Sequence, residues 1–364
     1  MKNNKIYFSV NNISKKYILL CLMLLLCICC FGCGKKDKDN KETVVEDGTV
    51  VFTFGDEPIT KGEVYIYINT VKEKYEAQYG EGIWEITLPK SEDGETTVTM
   101  EEFTREEVIN EIIKVKTLFA QAESYGITLT TEQETNIQTA ASEFYDGLTD
   151  VDIETLEMTL DIVIKVMTEN TIATMVENKL LEENPIEISD EEARMTTFYD
   201  MYFNCYSYDE NGVMVSYTEE QKDIQYENAL TACSTLATAI IDENSEAENI
   251  ENLAEYYKLD YADEYTITPE EIMNTYGEEV YNLLYSMENG DYSTVVETEY
   301  GYHVFQMIAL TDKKATQARK DSMTAEAVEL YLQENLMEWQ KEIDSEFTYP
   351  ESINMEVYNT IKIN

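Results

Sequence analysis

The chain has a single histidine, His303, and only 26 Lys and Arg against 73 Asp and Glu in 364 residues, a formal net charge of −47. Outside an N-terminal segment rich in cysteine it has two cysteines, Cys205 and Cys233, far apart in sequence. Each scarcity narrows the field. One imidazole and two dispersed thiols are too few for an ordinary Cys/His zinc site. The acidic balance repels phosphate backbones, so nucleic acid is not an expected partner. No Asp/Asn-Gly loop has full calcium-ligand spacing, and "DENG" at 209–212 reads more simply as a turn. No cofactor box is visible among the apolar stripes, so neither a cofactor nor a metal is expected. Cys205 and Cys233 can form a disulfide in an oxidising compartment or stay as buried thiols.

Long apolar runs are also scarce. Tyr17–Phe31 is the one candidate, preceded by Lys2, Lys5, Lys15 and Lys16 with no acid. It falls short of the roughly 20 residues that span a bilayer as a helix. A basic start, a short apolar run and a small residue, Gly32, have the layout of an export signal over residues 1–32. "CFGC" ending at Cys33 resembles a bacterial lipobox. Gly32 fits the small residue before the cut, and Cys30 and Phe31 stand where leucine and a small residue are usual. Cys33 is then the expected lipidation site, and the polar stretch 33–48 a flexible tether.

The mature chain reads as three regions. Residues 49–188 are mainly helical. "TVVFTFGDEPIT" alternates and turns at Gly55-Asp56, so a strand entering a turn is expected. Thr60 and Glu63 are spaced as a capping box for a helix carrying Val64, Ile68, Val71 and Tyr75. Similar boxes at Thr104/Glu107 and Thr131/Glu134 predict two more helices, and one long apolar-faced stretch covers about Ile153–Leu181. Residues 81–101 read as irregular. Residues 189–312 change pattern. A short helical start, "SDEEAR", precedes an aromatic strand, two helices, the strand "DEYTIT", a helix opened by Pro269, a turn, and the closing strand "YGYHVFQMIAL". Residues 313–364 are read as one helix over 322–344 and an alternating tail that suits a strand. The expected fold is α+β, with a β-α-α-β-α-β module between helical segments.

"VYNLLYSMENGDYSTVVETEYGYHVFQMI" resembles the closing half of a parvulin domain, the fold of one class of peptidyl-prolyl isomerases. Tyr285, Met287, Gly290, Asp291, Ser293, Val296, Thr298, Gly301, His303 and Val304 fall on that family's pattern. With the flanking helices and the lipobox, nearly the whole mature chain resembles the lipid-anchored foldases of Gram-positive bacteria and the related periplasmic chaperones. The resemblance implies an all-α chaperone lobe built from the N- and C-terminal helices, with the parvulin-like module inserted. It implies two catalytic histidines, a nearby Cys or Asp, and a pocket for the proline ring. His303 matches the second histidine; Tyr202 falls where the first would be, and Asp263 is the candidate polar group. Tyr276 and Val280 stand at the pocket methionine and phenylalanine, with Met273, Tyr285 and Met287 as further candidates for peptide binding. The glycine-rich turn usual before this helix is replaced by "LDYADEYTIT".

Prolyl isomerisation needs no group to add or leave. An apolar pocket with polar groups at its rim can stabilise the twisted imide. Two functions follow as expectations: a membrane-anchored, extracytoplasmic foldase that isomerises prolyl bonds in exported chains, or a non-catalytic holdase that keeps the module as a binding scaffold. In the second, His303 only ties neighbouring strands together. The expected partners are unfolded or partly folded exported proteins and the membrane.

Overall fold

A computed structural model describes residues 48–89, 96–241 and 250–363, the side chains of 238–241 excepted. The export segment, Cys33 and nearly all of the tether lie outside the described residues. No helix among the described residues is long and apolar enough to cross a membrane. The chain divides into two compact units. One holds the described residues up to Pro185 and those from Leu330 on; the other is Ile186–Glu329.

The first unit opens with an antiparallel hairpin, β1 (Val50–Phe54) and β2 (Glu57–Thr60). Gly55 turns it with φ +59°, and a Cβ there would lie 2.9 Å from Ile343 Cγ2, so the turn requires glycine. Thr60 and Glu63 form the capping box of α1 (Lys61–Tyr79). The stretch expected to be irregular contains a 3₁₀ turn (Glu81–Glu85) and a small hairpin, β3 (Thr87–Pro89) with β4 (Thr97–Thr99).

Three helix boundaries differ from the sequence reading. α2 runs Met100–Ala120 from a box made by Thr99 and Glu102, leaving Thr104 buried inside the helix. α3 (Thr131–Asp146) is capped by Thr130 and Gln133. The long stretch is two helices, α4 (Asp150–Leu156) and α5 (Leu160–Glu183), because Glu157 takes a left-handed conformation and Thr159 caps the second. Capping boxes are degenerate where Thr and Glu are frequent, and only packing selects one.

The core of this unit joins Val64, Ile68, Ile109, Ile112, Val163 and Val176 to residues from the far end of the chain, Ile353, Tyr358, Ile361 and Ile363. The tail is not a strand. Ile353 makes one bridge to Phe52, and α10 (Met355–Tyr358) follows. Buried Arg105 donates to the carbonyls of Ile361 (2.9 Å) and Tyr358 (3.4 Å), and Tyr358 Oη donates to the Arg105 carbonyl at 2.7 Å. Two cations sit among three acids nearby. Lys116 Nζ lies 2.6 Å from Glu169 and 2.7 Å from Glu57, and Lys165 Nζ lies 2.5 Å from Glu63 and 2.8 Å from Glu57.

The second unit begins with a turn rather than the expected helical start, although Ser189 and Glu192 do exchange capping bonds. Its sheet has the order β8-β5-β10-β9, all antiparallel. The strands are β5 (Thr196–Asn204), β8 (Asp263–Ile267), β9 (Val296–Thr298) and β10 (Gly301–Ala309). A separate hairpin, β6 (Tyr206–Tyr208) with β7 (Met214–Ser216), turns on Asp209, whose side chain accepts from the N–H groups of Asn211 and Val213. Period-two alternation divides the sheet's faces. Tyr199, Met201, Phe203 and Val304 pack against α6 (Glu219–Ile241) and α7 (Ile250–Tyr257). Phe198, Phe305 and Met307 pack on the other face against Val280 and Leu284 of α8 (Pro269–Ser286). α8 is capped by Thr268 and Glu271 and kinked at Gly277. α9 (Lys313–Ile343) starts nine residues before the expected 322, at an N-cap supplied by Asp312.

Candidate functional site

Alternation places Phe198, Asp200 and Tyr202 of β5 on the same sheet face as His303, Phe305 and Met307 of β10. The register sets His303 opposite Tyr202, Phe305 opposite Asp200, and Met307 opposite Phe198. His303 therefore sits diagonal to Asp200, within side-chain reach. Its Nδ1 lies 2.9 and 3.0 Å from the two Asp200 oxygens, and its Nε2 lies 3.1 Å from Thr298 Oγ1 on β9. His303 is 6% exposed and Asp200 3%. The imidazole stacks on the Tyr202 ring at 4.2 Å and nearly parallel, with Phe305 parallel at 5.5 Å and Tyr276 edge-on at 6.0 Å. Tyr276 Oη donates to Asp200 Oδ2 at 3.3 Å, and Tyr202 Oη donates to the Tyr300 carbonyl at 3.0 Å.

The hydrogen bonds constrain the protons. Thr298 has one hydroxyl hydrogen, and the Gly301 carbonyl lies 3.1 Å from the same Oγ1. When that hydrogen goes to Gly301, Nε2 must carry its own hydrogen to donate to Thr298. Nδ1 and Asp200 then hold one proton on the line between them. Burial pushes the Asp200 carboxyl above its usual range, against the hydrogen bond from His303 that lowers it. Burial, reinforced by the Asp200 charge, likewise raises the Tyr276 phenol. Tyr202 is raised by burial and by Tyr206.

The expected site residues fall in different places. His303, Tyr202 and Tyr276 come together. Asp263 does not join them: it pairs with Asp200 in the backbone register but is exposed at the sheet edge, and its carboxylate accepts from the Glu264 N–H. The acid at the imidazole is Asp200. Val280 and Met287 are buried in the core beneath α8, and Met273 is exposed on its first half. Tyr285 stacks on Tyr281 at 4.5 Å, and its hydroxyl lies 3.0 Å from Thr196 Oγ1, so it packs at the base of the sheet. Cys205 and Cys233 are both free thiols, and Cys233 Sγ donates to the Ser293 carbonyl at 3.4 Å. Asp200 and the bonding role of Thr298 are the contacts to the imidazole that the sequence reading missed. The signal for Asp200 was an acid at an inward position of the aromatic strand "TTFYDMYF", which must find a partner once buried.

A foldase protein PrsA of Clostridium perfringens is 22% identical to this chain over 358 residues, covering 95% of this chain and 96% of the relative. Along nearly its whole length the chain is similar to PrsA foldases. The foldase protein PrsA of Clostridium acetobutylicum is 20% identical over 288 residues, 77% of this chain and 80% of its own length. Among solved structures, PrsA from Bacillus subtilis aligns at 14% identity over 73% of this chain and 94% of its own, with a TM-score of 0.22. No family model matches the chain.

Proposed function

We propose that this protein is a foldase for exported proteins, and that its sheet unit, about residues 189–312, is a parvulin-type peptidyl-prolyl isomerase domain. In this reading the helices of 49–188 and 313–364 hold clients, and an acyl group on Cys33 keeps the protein at the outer face of the membrane. Likeness to the PrsA foldases along nearly the whole chain supports the foldase role. The observation that carries the isomerase reading is the buried Asp200–His303–Thr298 network, tied to the partly exposed Tyr202 and Tyr276 on one sheet face.

Chemically, the site would act by surroundings and positioning. His303 is buried and bonded at both nitrogens, so it is a positioning residue: it orients Asp200, Thr298 and the Tyr202 ring. The groups a peptide would meet are Tyr202 and Tyr276. Their hydroxyl hydrogens are already committed, so their oxygens can accept from client N–H groups while their rings face the proline. A planar imide holds resonance charge separation that twisting partly removes, so an aromatic, water-poor wall favours the twisted form over the planar one. A thousandfold acceleration requires about 4 kcal/mol of such preference.

The test is prolyl isomerisation measured by a coupled protease on several X-Pro peptides. The native protein should accelerate the slow phase, His303→Ala should reduce the acceleration, and Tyr276→Phe, which keeps the ring, should reduce it less. No acceleration by folded protein rejects the enzymatic reading. One observation favours the second reading, a holdase: His303 and Asp200 are shielded from solvent and Val280 is spent on the core. A holdase would suppress client aggregation equally well as His303→Ala.

A further inference from the structure

The network does not end at Tyr202. The Tyr202 ring lies 6.2 Å from Tyr261, which lies 6.1 Å from Tyr206. Tyr206 in turn meets Tyr208 at 5.7 Å and Tyr300 at 6.4 Å, both nearly perpendicular. Five tyrosines thus lead from the buried imidazole outward, and three of them are exposed: Tyr261 at 41%, Tyr300 at 46% and Tyr208 at 58%. Tyr202 and Tyr206 are partly exposed. Such rings need not face water for packing reasons, and together they form a contiguous aromatic surface.

The stretches that carry these rings are acidic, and the nearest cations in sequence are Lys222, which is paired with Glu219, and Lys258. Between Met195 and Gln221, and again between Leu259 and Asp312, there is no Lys or Arg. Those stretches supply the four-stranded sheet, its hairpin and α8. Exposed acids adjoin the outer rings in sequence: Asp209 follows Tyr208, Asp260 precedes Tyr261, and Glu299 precedes Tyr300. The negative faces of phenol rings attract cations within about 6 Å of the centroid, by roughly 0.5–2 kcal/mol each. Neighbouring carboxylates add to that attraction and repel acidic peptides.

We infer that the Tyr261–Tyr206–Tyr300 surface selects clients, binding extended segments in which lysine or arginine flanks the proline presented to Tyr202. This rests on the prolyl-peptide reading above and names its substrate class. The acidic surface and the aromatic path act together: carboxylates draw the cationic segment in, and the rings hold its side chains beside the site.

The test uses the folded mature protein and three labelled peptides, identical except for Lys, Gln or Glu on both sides of one proline, followed by fluorescence anisotropy. The Lys peptide should bind about tenfold tighter than the Gln peptide at low salt, with the gap narrowing at high salt. The Glu peptide should bind weakest. The double variant Tyr261→Ala/Tyr300→Ala should bring the Lys-peptide affinity down to near that of the Gln peptide measured with the same variant. Tyr261→Phe/Tyr300→Phe should keep the preference. Equal affinities for Lys and Gln peptides, or a Lys preference that survives the double alanine variant, would overturn the inference. Isomerisation of the Gln peptide measured in the same samples separates the two claims. Turnover without a Lys preference sinks this inference alone. A tyrosine-dependent Lys preference without turnover sinks the enzymatic reading alone.

Discussion

Gly301 shows how closely β5 and β10 approach beside the imidazole. A Cβ there would lie 2.3 Å from the Phe203 carbonyl oxygen and 2.8 Å from the Tyr202 ring. Gly301→Ala must therefore separate the strands next to His303. We expect it to destabilise the sheet unit by at least about 1–3 kcal/mol, read from urea unfolding, and to lower the proposed isomerase activity in whatever fraction stays folded. Asp200→Ala removes one partner of a buried pair and should cost about 3–5 kcal/mol in the same measurement. Asp200→Asn, which can still bond Nδ1, should cost less. At this scale the sequence was half legible. A lone histidine within a parvulin-like stretch drew attention to itself, and Tyr202 was placed by its distance from the "DENG" turn. Asp200 did not, because Asp263 was chosen by its place in the chain. Which acid meets the ring is decided by strand register and burial, and neither is written in local sequence.

Helix ends were legible as a class and uncertain in position. Thr–x–x–Glu spacing marks the cap at Thr60, where an apolar stripe begins at once, and Pro269 marks the start of α8. The same spacing misplaces the start of α2, where Thr99 and Thr104 both offer a box and burial of Thr104 decides between them. The start of α9 was missed because Asp312 lies at the end of a strand pattern. Its carboxylate accepts from the Ala315 N–H at 2.9 Å and from Thr197 Oγ1 at 3.0 Å. The bond from Ala315 holds the Asp312 carboxyl below its usual range, although burial opposes it. A depressed carboxyl contributes stability that is present above the unfolded value and lost as pH falls through the folded one. Asp312→Ala should therefore destabilise the protein by about 1 kcal/mol near neutral pH. That difference should shrink as pH falls below about 4. Unfolding curves of both proteins at several pH values check this.

Across the whole molecule, the α+β class was readable from the switch between helical and alternating periods, and the route of the chain less so. The tail alternates like a strand, yet it closes the helical core through Ile353, Ile361 and Ile363 and is held by Arg105. A long-range partner overrides local pattern there. The buried charges of the same unit were also invisible in sequence, because Lys116 and Glu169 sit on helix faces that look merely amphipathic. Burial raises the Glu169 carboxyl against the opposing pull of Lys116. Glu57 is also raised by burial, but hydrogen bonds from Lys116 and Lys165 outweigh this and leave it lowered. Lys116→Met would leave Glu63 and Glu169 under-compensated and should cost about 3–5 kcal/mol, measured by thermal or urea unfolding. The proposed function rests on one property, isomerisation of prolyl bonds by the sheet unit of the folded protein. The most direct measurement is the rate of cis-to-trans conversion of X-Pro peptides with and without the native protein. The account predicts a rate above background that falls in His303→Ala while the fold persists. An unchanged background rate for every peptide, from protein shown to be folded, would contradict it.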